Sequence, residues 1–118
     1  MTAPEIAPLV LFEYEDHPGD FCLMLADAHV TDEAFEVFEE CGQYGNGYGW
    51  DGVARQAIRQ FMPELTEQFD FDSEAGTFVA HSKNEEALRR LGAILARTMI
   101  DLAFLTELIE AADPDWFD

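Results

Sequence analysis

Three groups of side chains in this sequence could carry chemistry: a run of carboxylates, scattered histidines and a glycine-rich stretch. Asp70, Asp72 and Glu74 occupy alternate positions, the spacing at which a calcium loop presents its ligands. Counting from Asp70, however, the sixth position is Ala75, where such a loop needs glycine, and the twelfth is His81, where it needs glutamate. These acids therefore fit the polar end of a hairpin better than a calcium site.

The histidines and cysteines do not form a recognisable site either. His17, His29 and His81 lack the spacing of zinc ligands, and the sequence contains no HExxH motif. Cys22 and Cys41 are not paired as CxxC, so we interpret them as free, buried thiols. Cys41 and His81 match a catalytic pair in composition only. We expect no bound metal and no cofactor.

The stretch from Gly42 to Gly52 holds five of the eight glycines, together with Tyr44, Tyr48 and Trp50. Glycine reaches positive φ without steric cost, so we predict a tightly turning loop with exposed amides. Its aromatic rings predict an ordered loop that they anchor, because a flexible linker would not carry such surface. A ligand-binding loop is the alternative to this structural role, which we assign to Gly45, Gly47, Gly49 and Trp50.

A phosphate could in principle bind the amides between Gly45 and Gly49. No lysine lies nearby, and the stretch is flanked by Glu39, Glu40 and Asp51, whose negative charge opposes an anion. We therefore exclude nucleotide binding.

Charge is the strongest compositional feature. The chain has 118 residues, of which 48% are hydrophobic, so residues 1–118 are expected to fold as one domain. Its 25 acidic and 6 basic residues give a net charge of −19, and the first basic residue is Arg55. Such a surface repels nucleic acid and anionic lipid and attracts a basic protein. Acidity that only maintains solubility, or that reflects a halophilic source, is the alternative.

The ends of the chain and its apolar runs bear on location. No secretion signal follows Met1, and no apolar run reaches the roughly 18 residues of a membrane span. We expect a cytoplasmic protein. The sequence does not determine its oligomeric state.

In the first half, alternation over residues 9–15 predicts a half-buried strand with Val10, Phe12 and Tyr14 on one side. Residues 17–20 predict a type II turn, and the apolar run over residues 21–28 predicts a central strand covered on both faces. Thr31 is the predicted cap of a helix over residues 32–41, and a second helix is predicted over residues 51–61.

In the second half, residues 69–72 and 77–81 predict a second hairpin. Ser82 and Glu85 match a capping box, which predicts a helix that begins at Lys83. If continuous to Ala111, this helix would be about 44 Å long, more than a compact domain of this size accommodates, so we predict a break with Asp101 as the cap of a final helix. The predicted class is α+β: two antiparallel hairpins form one sheet with helices largely on one face, in the order ββαα-ββα(α).

One set of motifs resembles a known family. The set comprises Gly45-Asn46-Gly47-Tyr48-Gly49-Trp50, Ala54, Pro63-Glu64-Leu65, the segment Phe71-Asp72-Ser73-Glu74-Ala75-Gly76-Thr77-Phe78, and Ala87-Leu88. In order and spacing these motifs are similar to the immunity protein 51 family of bacterial polymorphic toxin systems. The resemblance spans roughly residues 35–95. It implies a small cytosolic α+β protein, without enzymatic activity, that protects its producer by binding and neutralising a toxin.

The leading hypothesis is therefore a stoichiometric inhibitor of a basic, nuclease-like toxin. Its predicted contacts form one acidic rim: Glu39, Glu40, Asn46, Tyr48 and Asp51, extended by Glu13 and Asp16. Two alternatives stay open. One is a carboxylate-dependent metal enzyme that uses acids around Asp51 or Asp70, and the other is an acidic DNA mimic or regulator.

Overall fold

The computed structural model describes residues 5–117, and it confirms the predicted α+β class and element order. These residues form four strands and four α-helices, with short 3-10 turns at residues 27–29, 63–68 and 114–117. The strands are β1 (Val10–Glu13), β2 (Phe21–Ala26), β3 (Asp70–Phe71) and β4 (Thr77–Ser82). The helices are α1 (Asp32–Glu40), α2 (Gly47–Phe61), α3 (Glu85–Ile100) and α4 (Leu102–Ala111).

The strands form one antiparallel sheet in the order β1-β2-β4-β3. The turn before β2 has the predicted type II geometry: Gly19 has a φ of +91°, and the Asp20 amide donates to the His17 carbonyl at 3.0 Å. The cross-strand register aligns Leu11 with Leu23 and Leu23 with Ala80. These three residues share one face of the sheet, and all three are buried.

The helices pack on this face. Gly92 of α3 lies against Ile6 and Leu23, and the guanidinium of Arg55 in α2 lies 4.4 Å from the centre of the Phe71 ring. The core therefore lies between the sheet and the helix layer. Its largest fully buried side chains are Trp50, Phe38, Phe78, Ile6, Leu9, Leu23, Leu25, Met62, Leu88, Leu91, Leu95 and Leu105.

The sequence pattern left the inner face of β1 open, and the prediction that β2 is covered on both faces was wrong. Val10, Phe12 and Tyr14 lie on the face away from the helices, and it is Leu9 and Leu11 that enter the core. Alternation gave the period of the strand correctly, but both of its faces are apolar, so the pattern could not identify the inner one. For the same reason β2, although central, meets helices on one face only within residues 5–117.

Two predicted helix starts also shift. Helix α2 begins at Gly47, four residues before the predicted Asp51, so half of the predicted loop is helix. Helix α3 begins at Glu85 with Asn84 as its cap, whose Oδ1 accepts from the Ala87 amide at 3.0 Å. Asn84 therefore makes the N-cap hydrogen bond that the predicted capping box assigned to Ser82.

The predicted break before the last helix is confirmed. Asp101 lies between α3 and α4, and its Oδ1 accepts from the Phe104 amide at 3.2 Å. The chain then turns back, and the ring of Phe117 packs on Gly52 of α2. The break lets α4 fold onto α1, α2 and α3 rather than extend past the sheet.

Candidate partner-binding surfaces

The segment from Gly42 to Trp50 is held by its own backbone contacts. Asn46 caps α2, with its Oδ1 accepting from the Gly49 amide at 2.9 Å. The Gly47 amide donates to the Ala75 carbonyl at 3.1 Å, which joins this helix end to the turn between β3 and β4. The Asn46 side chain, a predicted toxin contact, is therefore already engaged within the protein.

The glycines of this segment serve close packing rather than unusual torsion angles. Among the described residues, only Gly19 and Gly42 have a positive φ. A Cβ on Gly47 would overlap the carbonyl oxygen of Glu74, and one on Gly49 would overlap that of Tyr44. The predicted reason for these glycines was wrong, although their structural role agrees with the contacts.

The three rings of the segment have three different environments. Trp50 is 1% exposed and packs edge to face on Phe38, with ring centres 5.3 Å apart. Tyr48 is half-buried, whereas Tyr44 is 81% exposed. Trp50 is thus the anchor of the segment, and the expectation that all three rings anchor it was wrong for Tyr44.

Asp51 lies one turn into α2 and is half-buried. Its Oδ1 is buried and has no hydrogen-bond partner. Burial raises the pKa of the Asp51 carboxyl, while the neighbouring Ser73 hydroxyl and Arg55 guanidinium act in the opposite direction. The carboxylate is therefore a destabilising group in the folded protein at neutral pH.

We predict that Asp51→Asn stabilises the protein. The pKa of Asp51 is higher in the folded than in the unfolded chain. At a pH between these two pKa values the folded chain therefore binds more protons than the unfolded chain. As pH rises through this range, the contribution of Asp51 to stability falls. At about pH 7 the free energy of unfolding of the variant should be up to roughly 1 kcal/mol higher than that of wild type. The gain is modest because the Asp51 side chain is partly exposed.

Denaturant unfolding at several pH values measures this effect. The gain should shrink as pH is lowered toward about 3, where aspartate is protonated in both states. All other acidic groups are common to the two proteins, so the difference between them isolates Asp51. A gain that is the same at every pH would contradict this assignment.

The remaining predicted contacts fall into two groups that the structure keeps apart. Glu39 and Glu40 are exposed at the end of α1, next to the segment that leads into α2. Glu13 and Asp16 are exposed at the turn between β1 and β2, where Glu13 Oε2 accepts from the Gly19 amide at 2.8 Å.

The register of the sheet gives the separation between these groups. Gly47 meets Thr77, which pairs with Ala26 at the last position of β2, whereas the β1–β2 turn leads into Phe21 at its first position. Five residue steps along a strand are about 17 Å. The start of α2 and the hairpin acids therefore lie at opposite ends of β2 and do not form one continuous rim.

Sequence reasoning missed a polar cluster on the sheet face away from the helices. The Tyr14 hydroxyl is 2.9 Å from His81 Nε2, and His81 pairs across the strands with Cys22. The only signal was strand parity, since Cys22 and His81 lie at outward positions of β2 and β4, and Tyr14, directly after β1, continues the outward parity of Val10 and Phe12. The neighbouring Cys22 thiol, together with burial, raises the pKa of Tyr14 to about 12.

The cluster resembles a cysteine–histidine pair but does not have the electrostatics of a nucleophile. Burial raises the pKa of the Cys22 thiol, whereas a reactive cysteine needs a lowered one. The thiol is also covered, since Cys22 is 1% exposed. Cys22 therefore packs as a small apolar side chain. It and Cys41 are both free, as predicted, but Cys41 is only half-buried, because it lies at the end of α1, so the prediction that it is buried was wrong.

A cleft of about 700 Å³ lies at the hairpin end of the sheet, beside this cluster. Lys83 pairs there with Asp20 at 3.1 Å, and both side chains are exposed. The lining is mixed in charge and includes Tyr14, His17, Asp20, Phe21, Glu67, Gln68, Asp70, His81, Ser82, Lys83 and Asn84.

Metal binding and membrane insertion find no support over residues 5–117. No three acidic, histidine or cysteine side chains in this part of the chain converge as metal ligands do. None of its helices combines the length and the apolar character that crossing a bilayer requires.

Comparison with known proteins agrees with the resemblance seen in the motifs. No curated protein and no solved structure matches the chain. The family model described as Immunity protein 51 matches residues 9–114, which includes every strand and α-helix of the fold. The chain therefore belongs to the immunity protein 51 family.

Proposed function

We propose that this protein binds and neutralises its cognate toxin as a stoichiometric inhibitor, and that the toxin domain is basic and nuclease-like. Membership of an immunity protein family supports the protective role. The observation that carries the finer proposal is the net charge of −19. Its carboxylates can meet the lysine and arginine side chains with which a nuclease holds phosphates. Inhibition of this kind needs no reaction catalysed by the inhibitor.

The distribution of charge supports the same proposal. The only lysine is Lys83, and the five arginines, Arg55, Arg59, Arg89, Arg90 and Arg97, all lie on α2 and α3. Residues 1–54, which include β1, β2 and α1, carry no lysine or arginine. This large acidic region would accelerate association with a basic partner, most strongly at low salt.

The exposed members of the predicted contact set are the ones available for this steering. Glu39 and Glu40 at the end of α1 and Glu13 and Asp16 at the hairpin are exposed, and Tyr48 is half-exposed. Asn46 and Asp51 are the members least available, because the first caps a helix and the second is half-buried.

The direct test is titration of the toxin encoded beside this chain's gene. The purified toxin domain should lose its activity at one equivalent of the protein. The association rate of the complex should fall as salt is added. Activity that persists at excess protein, with no complex on a sizing column, would overturn the proposal. Multiple turnover of the toxin by the protein, seen as inactivation at far below one equivalent, would contradict the stoichiometric mechanism.

We predict that reversing Glu39 and Glu40 to lysine slows association. The association rate constant should fall roughly tenfold at low salt, because steering depends on the charge presented to the toxin, while the dissociation rate changes less. Stopped-flow mixing measures both rates. Thermal unfolding should change little, since both side chains are exposed.

The matched control reverses Glu64 and Glu86, which are exposed on the 3-10 turn after α2 and in the first turn of α3 and undergo the same change of charge. Its association rate should stay within about twofold to threefold of wild type at the same salt. Equal slowing in both variants would mean that only net charge matters, and unchanged rates in both would mean that the acidity serves solubility.

A further inference from the structure

The face of the sheet that points away from the helices is here termed the open face. It is made by the outward residues of three neighbouring strands: Val10, Phe12 and Tyr14, then Cys22 and Met24, then Val79 and His81. We propose that the open face is the docking surface for the toxin, and that its occupant is a basic protein domain with an apolar centre to its contact surface. This inference rests on the proposed function. The acidic charge accelerates the approach of the toxin, and the open face then makes the short-range contact with it.

The open face is more apolar than a solvent-facing sheet usually is. Val10, Met24 and Val79 pair across the strands in one row, so their side chains lie side by side. Val10 is 40% exposed, and Met24 and Val79 are half-buried. Antiparallel sheets with one covered face normally alternate to polar residues on the other. A contiguous apolar row is instead typical of a surface that a partner covers.

Carboxylates border this apolar row. Asp70 pairs with His81 along the β3 edge, and Asp72 follows on the same side and is exposed. Glu15 and Asp16 are exposed at the β1–β2 turn. No lysine or arginine occurs in residues 9–26 or 69–82, which form the whole sheet. The border is therefore of one sign, and a partner with cationic side chains around an apolar centre fits it.

The neighbouring cleft strengthens this assignment. Tyr14, Asp70 and His81 belong both to the open face or its border and to the lining of the cleft. Asp20 and Glu67 add further carboxylates to that lining. Lys83 also lines the cleft and pairs with Asp20, which leaves Glu67 and Asp70 as the carboxylates that a lysine or arginine of the partner can reach from the open face.

The charge also argues against a second copy of this chain as the occupant. Two open faces placed together would bring carboxylate borders of the same sign into contact, which is unfavourable. The area of the sheet face indicates that the partner also covers the surrounding carboxylates. The sheet face measures about 20 by 19 Å, or roughly 400 Å², whereas a stable interface covers about 800 Å² on each partner.

Methionine methyl groups provide an internal test. Met24 lies on the open face, whereas Met62 and Met99 are buried on the helix side of the molecule. In the full chain labelled with ¹³C-methyl methionine, addition of the unlabelled toxin domain encoded beside its gene should shift or broaden the Met24 signal. The Met62 and Met99 signals should change much less.

A pair of uncharged substitutions tests the energetics. Val10→Gln removes apolar surface from the open face, and Ile100→Gln makes the same kind of change at an 88% exposed position on the helix layer. We expect Val10→Gln to weaken toxin binding about tenfold, mainly through faster dissociation, and Ile100→Gln to bind within about twofold of wild type. Both proteins should keep the wild-type circular dichroism spectrum.

The outcomes separate this inference from the proposed function. No complex between wild type and the toxin overturns both. A complex in which the Met24 signal is unchanged, or in which Val10→Gln binds as tightly as wild type, overturns the docking surface alone. A Met24 shift that appears in the protein alone as its concentration rises would show that a second copy covers the open face, which also overturns the assignment.

Discussion

Replacing Trp50 by alanine is expected to lower the free energy of unfolding by roughly 3 to 5 kcal/mol, the usual loss when a fully buried large aromatic side chain is deleted. Trp50 is 1% exposed, and its ring packs on Phe38 at the junction of α2 with α1. A Cβ added at Gly45 or Gly49, on either side of the start of α2, would lie 3.1 Å from the Phe38 ring, so the backbone at both positions packs closely on this ring. The surroundings therefore cannot collapse into the cavity without moving this segment. Equilibrium denaturant unfolding measures the loss.

Trp50→Phe is the matched control. The buried Nε1 of Trp50 has no hydrogen-bond partner, so the indole N–H contributes no bond that phenylalanine would forfeit. We expect this variant to lose less than about 2 kcal/mol, well below the alanine variant. If Trp50→Ala instead unfolds like wild type but no longer binds the toxin, the ring is a binding hot spot rather than an anchor.

The parts of the fold that the sequence predicted correctly are those decided by local chemistry. Thr31 and Asp101 both cap helices, accepting from the amides of Ala34 and Phe104. Pro18 and Gly19 set the turn before β2. Each of these features depends on one side chain and a few neighbouring amides, so its residue types carry enough information to locate it.

The glycine-rich segment shows where local reasoning fails. Five glycines within eleven residues indicated positive φ, yet of these only Gly42 has it. Gly47, Gly49 and Gly52 lie within α2, a position that helix propensity disfavours. They are tolerated because carbonyl groups or the Phe117 ring occupy the space of a side chain. Those neighbours are distant in sequence for Gly47 and Gly52, so no local pattern could reveal them.

The candidate binding surfaces divide in the same way. Charge is a property of composition, and the acidic character of the N-terminal half was evident from the position of Arg55 alone. The open face was not, because Leu9 and Leu11 alternate with Val10 and Phe12, and either pair could have faced the core. Only the placement of the helices distinguishes the two faces.

The second large effect is expected at Gly47, where alanine should cost roughly 3 kcal/mol of unfolding free energy, at the upper end of the usual range for overpacking. Its Cβ would overlap the Glu74 carbonyl oxygen and lie 2.6 Å from that of Thr77. These carbonyls accept from each other's amides at 3.2 and 2.9 Å, so they cannot retreat without opening the turn between β3 and β4. The gain in helix propensity, at most about 1 kcal/mol, is too small to compensate.

Gly76→Ala provides the control for this last prediction. Gly76 belongs to the same turn, has no positive φ, and a Cβ there would meet no atom within 4 Å. We expect its free energy of unfolding to stay within about 0.5 kcal/mol of wild type. Denaturant unfolding of both variants distinguishes close packing from a general need for glycine. Equal losses at Gly47 and Gly76 would mean that the turn itself requires glycine, and that the contact between α2 and the β3–β4 turn is not what excludes a side chain at Gly47.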